Sequence, residues 1–167
     1  MKKMTGNSKR ARESGQSMIE VALLTPLLLA LVLGAIEFGR YAYIAILVGN
    51  AARSGAAYAT EQLSHAGDLT GITQAAKNDY QNNGQNPSLL AVTESVACGC
   101  DNGSTTIASV NCYPGSGTIP PICSSGSTYV VMVTVTATGT YSSLFSYPWI
   151  PKSMPISKSC TMRAALD

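Results

Sequence analysis

The sequence predicts an α+β fold, in which one long amino-terminal helix crosses a membrane and then packs on a small antiparallel sheet. Residues 21–36 (VALLTPLLLALVLGAI) carry no charge, and no proline follows from residue 36 to residue 63. Residues 129–141 (YVVMVTVTATGTY) alternate apolar and hydroxyl side chains, which indicates a strand with one packed face and one wet face. The uncharged run predicts the membrane helix, and the absence of proline after it predicts that the helix continues. The alternating segment predicts the sheet.

Basic residues are concentrated at the amino end of the 167-residue chain. Five of the eleven Lys and Arg residues lie in the first twelve positions, although the net charge is only +2. Basic residues before an apolar run, with few just after it, predict a cytoplasmic amino end and an outer carboxyl-terminal part. The rest of the chain shows no basic face, so we expect no nucleic-acid partner.

The apolar run is long enough for one membrane crossing. At 1.5 Å per residue, residues 16–36 of a helix cover about 31 Å, near the ~30 Å hydrocarbon thickness of a bilayer. Phe38, Tyr41 and Tyr43 follow directly, as aromatic residues do at a membrane interface. We therefore predict a transmembrane segment at about residues 17–43, with a bend at Pro26.

A secretory signal peptide is the alternative for this segment. Glu20 is badly placed for the apolar core of such a peptide, and Glu37 and Arg40 occupy the zone where its cleavage site should fall. Both observations favour the retained membrane helix. Glu37 and Arg40 are three residues apart, so they can pair on the helix surface or face solvent separately.

Glu20 places a single carboxylate directly before the apolar run. An ionised side chain in hydrocarbon costs about 2.5–3.5 kcal/mol on insertion scales, so an acid at this position is expected to serve a purpose. We predict that the purpose is assembly and not catalysis.

Small residues recur along one face of the helix at steps that average about 3.4 residues, near the period of a helix–helix contact. They are Ala35, Gly39, Ala42, Ala45, Gly49, Ala52, Ala56 and Ala59. Such a stripe lets helix backbones approach closely, but alanine is also the best helix former, and the stripe can seat the chain's own sheet. Both interpretations stay open, and both can hold, with the membrane half facing other subunits and the outer half facing its own domain.

The outer part begins with a polar stretch and a short helix. Asp68 or Thr70 can cap this helix, which should run to about Tyr80 before residues 82–84 (NNG) end it. The single histidine, His65, lies in the polar stretch and is predicted to be a solvated surface residue.

Strands are predicted for the remaining outer part. Residues 89–97 indicate one strand, residues 98–128 a long loop, and residues 156–164 a last strand after 129–141. The prolines between these last two strands should break the chain at Pro148, Pro151 and Pro155.

The cysteines all follow the apolar run, at Cys98, Cys100, Cys112, Cys123 and Cys160. Disulfides are permitted outside the membrane, whereas the C-x-C spacing differs from the usual spacing of zinc ligands. We therefore predict disulfides, with no metal and no cofactor. Our hypothesis is that Cys98 and Cys100 pair with Cys112 and Cys123, in an order left open, and that Cys160 is the odd one, buried or linked to another subunit.

Three motifs follow one another at residues 15–20 (GQSMIE), 37–40 (EFGR) and 50–56 (NAARSGA). In this order they resemble the start of TadE-like proteins, the minor pilins or pseudopilins of the tight-adherence (Tad, type IVc) pilus. Residues 159–163 (SCTMR) are similar to the end of that family's domain. Relatives usually carry an aromatic residue after the glutamate, where this chain has Val21.

The resemblance implies that a prepilin peptidase cleaves the chain between Gly15 and Gln16, which leaves Glu20 as the fifth residue of the mature protein. It also implies that Glu20 meets the new amino-terminal ammonium of a neighbouring subunit. Two opposite charges in a site of low dielectric constant stabilise each other, and removal of one leaves the other uncompensated. Gly15 and Gln16 are thus assigned to leader cleavage, and Glu20 to subunit assembly.

The predicted organisation is a basic leader at residues 1–15, a long helix at 16–63 and an extracytoplasmic domain at 64–167. The resemblance implies a pilin-like fold and a role in pilus assembly, or as a pilus component for attachment. The implied partners are other pilin subunits, the inner-membrane assembly machinery and the prepilin peptidase. The implied location is the bacterial inner membrane, with a further place in the extracellular pilus.

An alternative function is that of a single-pass membrane protein whose outer domain binds a ligand or envelope partner without entering a filament. An enzyme is the third class of function, and we do not expect one. The few acids of the outer part show no paired motif, nucleophile elbow or phosphate loop.

Overall fold

The residues that the computed structural model describes are 8–103, 108–110, 112, 123–145 and 151–164, and they form two helices and a four-stranded antiparallel sheet. The helices are α1 (Ser8–Glu61) and α2 (Leu69–Asn82). The strands are β1 (Ala91–Asp101), β2 (Ala108–Val110), β3 (Thr128–Ser142) and β4 (Ser153–Arg163). Short 3-10 turns at Leu63–His65 and Pro87–Leu89 precede α2 and β1. The predicted α+β class is confirmed.

The chain divides into two compact units, Met1–Arg40 and Tyr41–Asp167. Helix α1 contributes to both, because it begins at Ser8, inside the predicted leader, and ends at Glu61. The second unit therefore contains residues 41–61 of α1 together with α2 and the sheet.

Helix α2 begins and ends where its sequence predicts. Asp68 is the N-cap, and its carboxylate accepts a hydrogen bond from the Gly71 amide at 3.0 Å. This bond satisfies one of the amides that have no partner within the first turn of a helix. At the other end Asn83 is the C-cap, and Gly84 follows with a φ of 79°, a left-handed conformation that favours glycine.

The sheet has the strand order β2-β1-β3-β4, so β3 lies in its interior. The alternation predicted for β3 is confirmed, since Tyr129, Val131, Val133, Val135 and Ala137 are all buried on one face. Hydroxyl groups on the other face are exposed and pair across to β4 at 2.8 to 3.0 Å, as Thr134–Thr161, Thr136–Ser159 and Thr138–Ser157. One face of the sheet is thus packed and the other is wet.

Two predictions about strand limits were wrong. Strand β1 extends to Asp101, so Cys98 and Cys100 lie in a strand and not in the predicted loop. Pro155 does not break the chain but lies within β4, opposite Thr140 of β3. The reason is that β4 is an edge strand with a ladder on one side only, where a residue without an amide hydrogen is tolerated. Pro148 lies outside the described residues.

The core of the second unit lies between the helices and the inner face of the sheet. Helix α1 contributes Leu47, Val48, Ala51, Ala52, Ala56 and Ala59, and α2 contributes Ile72, Ala76 and Tyr80. The residues that α1 presents here are mostly alanine, which allows the helix to lie very close to β3.

Gly139 of β3 lies close against Val48 of α1. A Cβ added at this position would lie 2.7 Å from Cγ2 of Val48 and 3.3 Å from the hydroxyl of Tyr80. Val48 is fully buried, so it has no open space into which to move. The absence of a side chain at Gly139 is therefore a packing requirement.

Gly139→Ala is expected to lower the free energy of unfolding by about 1–3 kcal/mol, because overpacking a filled site forces neighbouring groups to shift. Chemical denaturation in detergent measures this change. Gly67→Ala is the matched control, since a Cβ there meets nothing within 4 Å, and it should change stability by less than about 0.5 kcal/mol. Equal effects of the two substitutions would contradict the packing argument.

Candidate functional site

The first part of α1 is an apolar surface that the described chain leaves uncovered. The section Gln16–Glu61 is long and apolar enough to cross a bilayer, by length and composition. The large apolar side chains from Met18 to Val32 are all more than half exposed. Contiguous apolar surface of this size marks contact with lipid or with another protein. This part of α1 is a candidate membrane span.

Glu20 lies on this exposed surface. Within the described part of the chain it has no ion-pair partner. Thr25, the next polar side chain along the helix, has its hydrogen-bond partner within the same helix, because its hydroxyl donates to the Val21 carbonyl at 2.7 Å. Of these two polar side chains, Glu20 is the one whose charge calls for a partner from outside the described chain.

Glu37 and Arg40 form the ion pair that their spacing predicts. Nη1 of Arg40 lies 3.3 Å from Oε2 of Glu37, and the Glu37 side chain is 13% exposed. The charge of this second helix carboxylate is therefore balanced within the same helix turn, unlike that of Glu20.

The stripe of small residues is divided between two environments. Ala52, Ala56 and Ala59 are fully buried in the core of the second unit, whereas Ala35 and Gly39 are exposed. Ala42, Ala45 and Gly49 are half-buried between these extremes. The carboxyl-terminal end of the stripe thus seats the chain's own sheet, and contacts of the other end with further subunits stay a prediction.

Two disulfides join β1 to the residues that follow it. They are Cys98–Cys112, with Cα atoms 5.1 Å apart, and Cys100–Cys123, with Cα atoms 5.6 Å apart. This is the pairing set that the sequence suggested, and the structure supplies the order. Cys160 is a half-buried free thiol on β4 that packs against the core. In the described part of the chain, no group of three or more His, Cys, Asp or Glu residues could hold a metal ion.

A hydrogen-bonded cluster fastens the carboxyl end of α1 to the amino end of α2. The Tyr58 hydroxyl donates to Oδ2 of Asp68 at 2.9 Å, while Oδ1 of Asp68 accepts from the Gly71 amide. Only glycine fits at position 71 without a shift of its neighbours, because a Cβ there would collide with the Tyr58 ring. The His65 ring stacks on Tyr58 with centroids 4.5 Å apart.

The prediction that His65 is a solvated surface residue holds only in part, because its ring is partly covered although not buried. Its side chain is 26% exposed, and its Nδ1 lies 4.0 Å from Oε2 of Glu61, which is too long for a hydrogen bond. The 3-10 turn folds the ring back over Tyr58. No local pattern pointed to a role for Tyr58, because its partner Asp68 is ten residues away and across a turn.

The cluster shifts the acid–base behaviour of its members in opposite directions. The Gly71 amide, and then the Tyr58 hydroxyl, hold the pKa of Asp68 below its usual value. The hydrogen bond to Asp68 raises the pKa of Tyr58. Burial, with a contribution from the charge of Asp68, raises the pKa of Glu94 on the inner face of β1. The surroundings of Asp68 therefore stabilise its ionised form, whereas the surroundings of Glu94 disfavour its ionised form.

Asp68→Ala is expected to lower the unfolding temperature at neutral pH, and Tyr58→Phe to lower it less, since it removes one of the two hydrogen bonds. Because the pKa of Asp68 is depressed in the folded state, its stabilisation is present above its unfolded pKa, which is near 3.8, and is lost as pH falls through the lower folded value. Thermal unfolding from pH 7 to pH 2.5 measures the difference. A deficit of Asp68→Ala that stays constant over this range would contradict the assignment.

One comparison with known proteins gives a match for this chain, and it is with a family model. No curated protein and no solved structure matches it. The model of the TadE-like protein family matches residues 15–57, a stretch that includes Gly15, Glu20 and the Glu37–Arg40 pair. The amino-terminal part of the chain, with its exposed apolar helix, is therefore similar to TadE-like proteins.

Proposed function

We propose that this protein is a minor pilin or pseudopilin of a tight-adherence pilus, anchored in the inner membrane by α1 and acting in pilus assembly or as a pilus component. The observation that carries the proposal is Glu20, a carboxylate without a partner in the described chain on an exposed apolar helix. The family match over residues 15–57 supports it. Its role is structural, and we expect no catalytic step of its own.

Leader removal is the first step of the proposed pathway. Prepilin peptidase would cut between Gly15 and Gln16, within the helical backbone of α1. Glycine within a helix costs roughly 0.5–1 kcal/mol relative to alanine, so Gly15 is a position where the helix opens with little loss. The cut removes the basic leader and creates a cationic amino group on Gln16.

Assembly follows from the charge that the cut creates. The ammonium of one Gln16 and the carboxylate of Glu20 on a neighbouring copy would share a lipid-exposed site of low dielectric constant. Breaking such a pair by removing one partner costs about 3–5 kcal/mol. The same pair cannot form while the leader is attached, because the amide nitrogen of Gln16 is then uncharged. Cleavage would therefore have to precede assembly.

The partners that this proposal implies are other pilin subunits, the inner-membrane assembly machinery and the prepilin peptidase. The amino end of the chain would lie in the cytoplasm and the disulfide-bonded unit outside. An oxidising outer compartment agrees with the two disulfides of that unit.

Glu20→Gln is expected to leave membrane insertion intact and to reduce incorporation into filaments by a factor of about 100 or more, because loss of one partner of a buried charge pair costs about 3–5 kcal/mol. Quantitative mass spectrometry of sheared filaments and of envelopes gives the ratio. Thr25→Val is the matched control, since the hydroxyl that it removes bonds only within its own helix. Normal filament content in Glu20→Gln would sink the proposed pair.

Gly15→Leu is expected to block leader removal, because a bulky side chain would occupy the position before the cut. Intact-mass analysis of protein recovered from envelopes should show residues 1–15 still attached. Gly34→Leu, a similar change further along α1 with open space around the added Cβ, should leave the leader removed. A native mature form from Gly15→Leu, or an uncut leader in the active wild-type protein, would favour the ligand-binding alternative.

A further inference from the structure

The sheet has two open edges in the part of the chain that the structure describes. Strand β2 pairs only with residues 98–100 of β1, so residues 91–97 have β3 on one side and no described strand on the other. Strand β4 is the opposite edge of the sheet and pairs only with β3. An open strand edge presents unpaired backbone amides and carbonyls, and it is a template for pairing with another chain.

The hydrogen bonds between β3 and β4 determine which residues face these edges. The Ala164 amide donates to the Val131 carbonyl at 2.8 Å, and backbone groups point alternately to the two sides of a strand. In β4, even-numbered residues therefore face β3 and odd-numbered residues face the open edge. The registers along β3 are unbroken, so the same alternation directs the amides and carbonyls of Val92 and Glu94 to the open edge of β1.

The two open edges carry opposite charges on the same face of the sheet. Glu94 is the only charged residue in the open part of β1, and Lys158 is the only one in β4 before Arg163. Glu94 is paired in register with the buried Val135. A Cβ added at Gly49 of α1 would lie 4.0 Å from Cγ of Lys158. Both charged side chains are therefore on the packed face.

Glu94 lies where a cation from outside its own chain would be favourable. Its Oε2 is buried and has no hydrogen-bond partner. Burial, and then the charge of Asp68, raise the pKa of Glu94, so a nearby cation would stabilise its ionised form. Lys158 of the same chain does not supply this cation, because it lies two strands away across β3 and forms no ion pair in the described part of the chain.

The open edge of β4 from a second copy fits the open edge of β1. Strands β1 and β4 run in the same direction, because each is antiparallel to β3. A second copy whose packed face lies on the same side therefore adds its β4 in parallel. In a parallel pair a residue bonds to the two residues that flank the one opposite it. Glu94 would bond to Ser157 and Ser159 of the second copy, which places Lys158 of that copy directly opposite.

Pro155 is compatible with this register. Val92 would bond to the Pro155 carbonyl and the Ser157 amide, so the amide hydrogen that Pro155 lacks is not needed in the ladder. On the wet face Thr93 would lie opposite Ser157, which continues the row of hydroxyl groups that β3 and β4 already form. Pairing β1 with β1, or β4 with β4, brings like charges to one face and is disfavoured.

We propose that copies of this protein join edge to edge, with β1 of one second unit beside β4 of the next and Glu94 opposite Lys158. The contact is heterologous, because each copy uses one edge and keeps the other open, and it therefore repeats. Two helices of about 10 Å diameter cover three strands about 4.8 Å apart, so successive copies must bend away from each other on the helix side. The inference goes beyond the proposed function, since neither edge involves Glu20 or the leader.

Disulfide cross-linking of the full-length protein in lipid vesicles tests this register. Thr93→Cys and Ser157→Cys are placed in one chain, in which Cys160→Ser removes the free thiol. Within one chain these positions are two strands apart, beyond the ~7 Å limit for a disulfide. Between copies they would lie opposite each other at about 4.8 Å. Ala91→Cys with Thr161→Cys is the matched control, because both are exposed but would lie about 20 Å out of register.

Oxidation is expected to link the Thr93→Cys and Ser157→Cys protein into dimers and longer ladders severalfold more than the control protein. Equal unfolding temperatures verify that both variants fold. Equal cross-linking of the two proteins would overturn the inference. Cross-links that form only in intact envelopes, and that join position 93 to another protein, would assign the edge to that partner and overturn it too.

Charge reversal tests the ion pair within the same contact. Glu94→Lys or Lys158→Glu, each added to the cross-linking protein, should lower the yield severalfold because like charges then lie opposite each other. A mixture of the two variants should regain the yield, since every contact between unlike chains again joins opposite charges. Yields that neither substitution lowers, or that mixing does not restore, would contradict the proposed pair.

Discussion

The close packing of α1 on β3 is the constraint on which the second unit depends. Gly139 lets Val48 touch the strand backbone, and Gly55 lies where a Cβ would be 3.2 Å from Val135. Because helix and strand meet through such small groups, neither can move without opening a gap in the core. The space left beside this contact is filled by α2, whose Tyr80 and Ile72 are almost fully buried. The two helices and the sheet therefore lock one another in place.

This packing commits one part of the small-residue stripe and leaves the other part uncommitted. The core of the second unit buries Ala52, Ala56 and Ala59 completely, so they are unavailable to any other molecule. Ala35 and Gly39 are exposed. A single periodic pattern in the sequence thus serves intramolecular packing at one end, and only its exposed end can meet other subunits. The period alone could not show where the change occurs.

Much of the fold could be predicted from local patterns. The alternation of β3, the capped helix after Asp68 and the long amino-terminal helix are each visible within a few residues, and the structure confirms them. The limits of β1 and the tolerance of Pro155 could not be predicted, because both depend on which strand lies beside which. Stacking of His65 on Tyr58 was missed for a similar reason, since its stacking partner belongs to another element.

The candidate site shows the same division between local and long-range information. Glu20 stands out in the sequence because an acid beside an apolar run is costly, and its place needs no knowledge of tertiary contacts. The order of the disulfides needed the fold, because it depends on how the chain after β1 returns to Cys98 and Cys100.

The odd number of cysteines has a consequence for biosynthesis. All four bridged cysteines precede Cys160 in the chain, and β4 is the last strand to be made. If the second unit is exported as we propose, and its residues emerge in chain order, the four bridged cysteines would reach the outer compartment before Cys160 does. Docking of β4 on β3 then half-buries that thiol against the core. Both bridges could then close before the unpaired thiol is present to exchange with them.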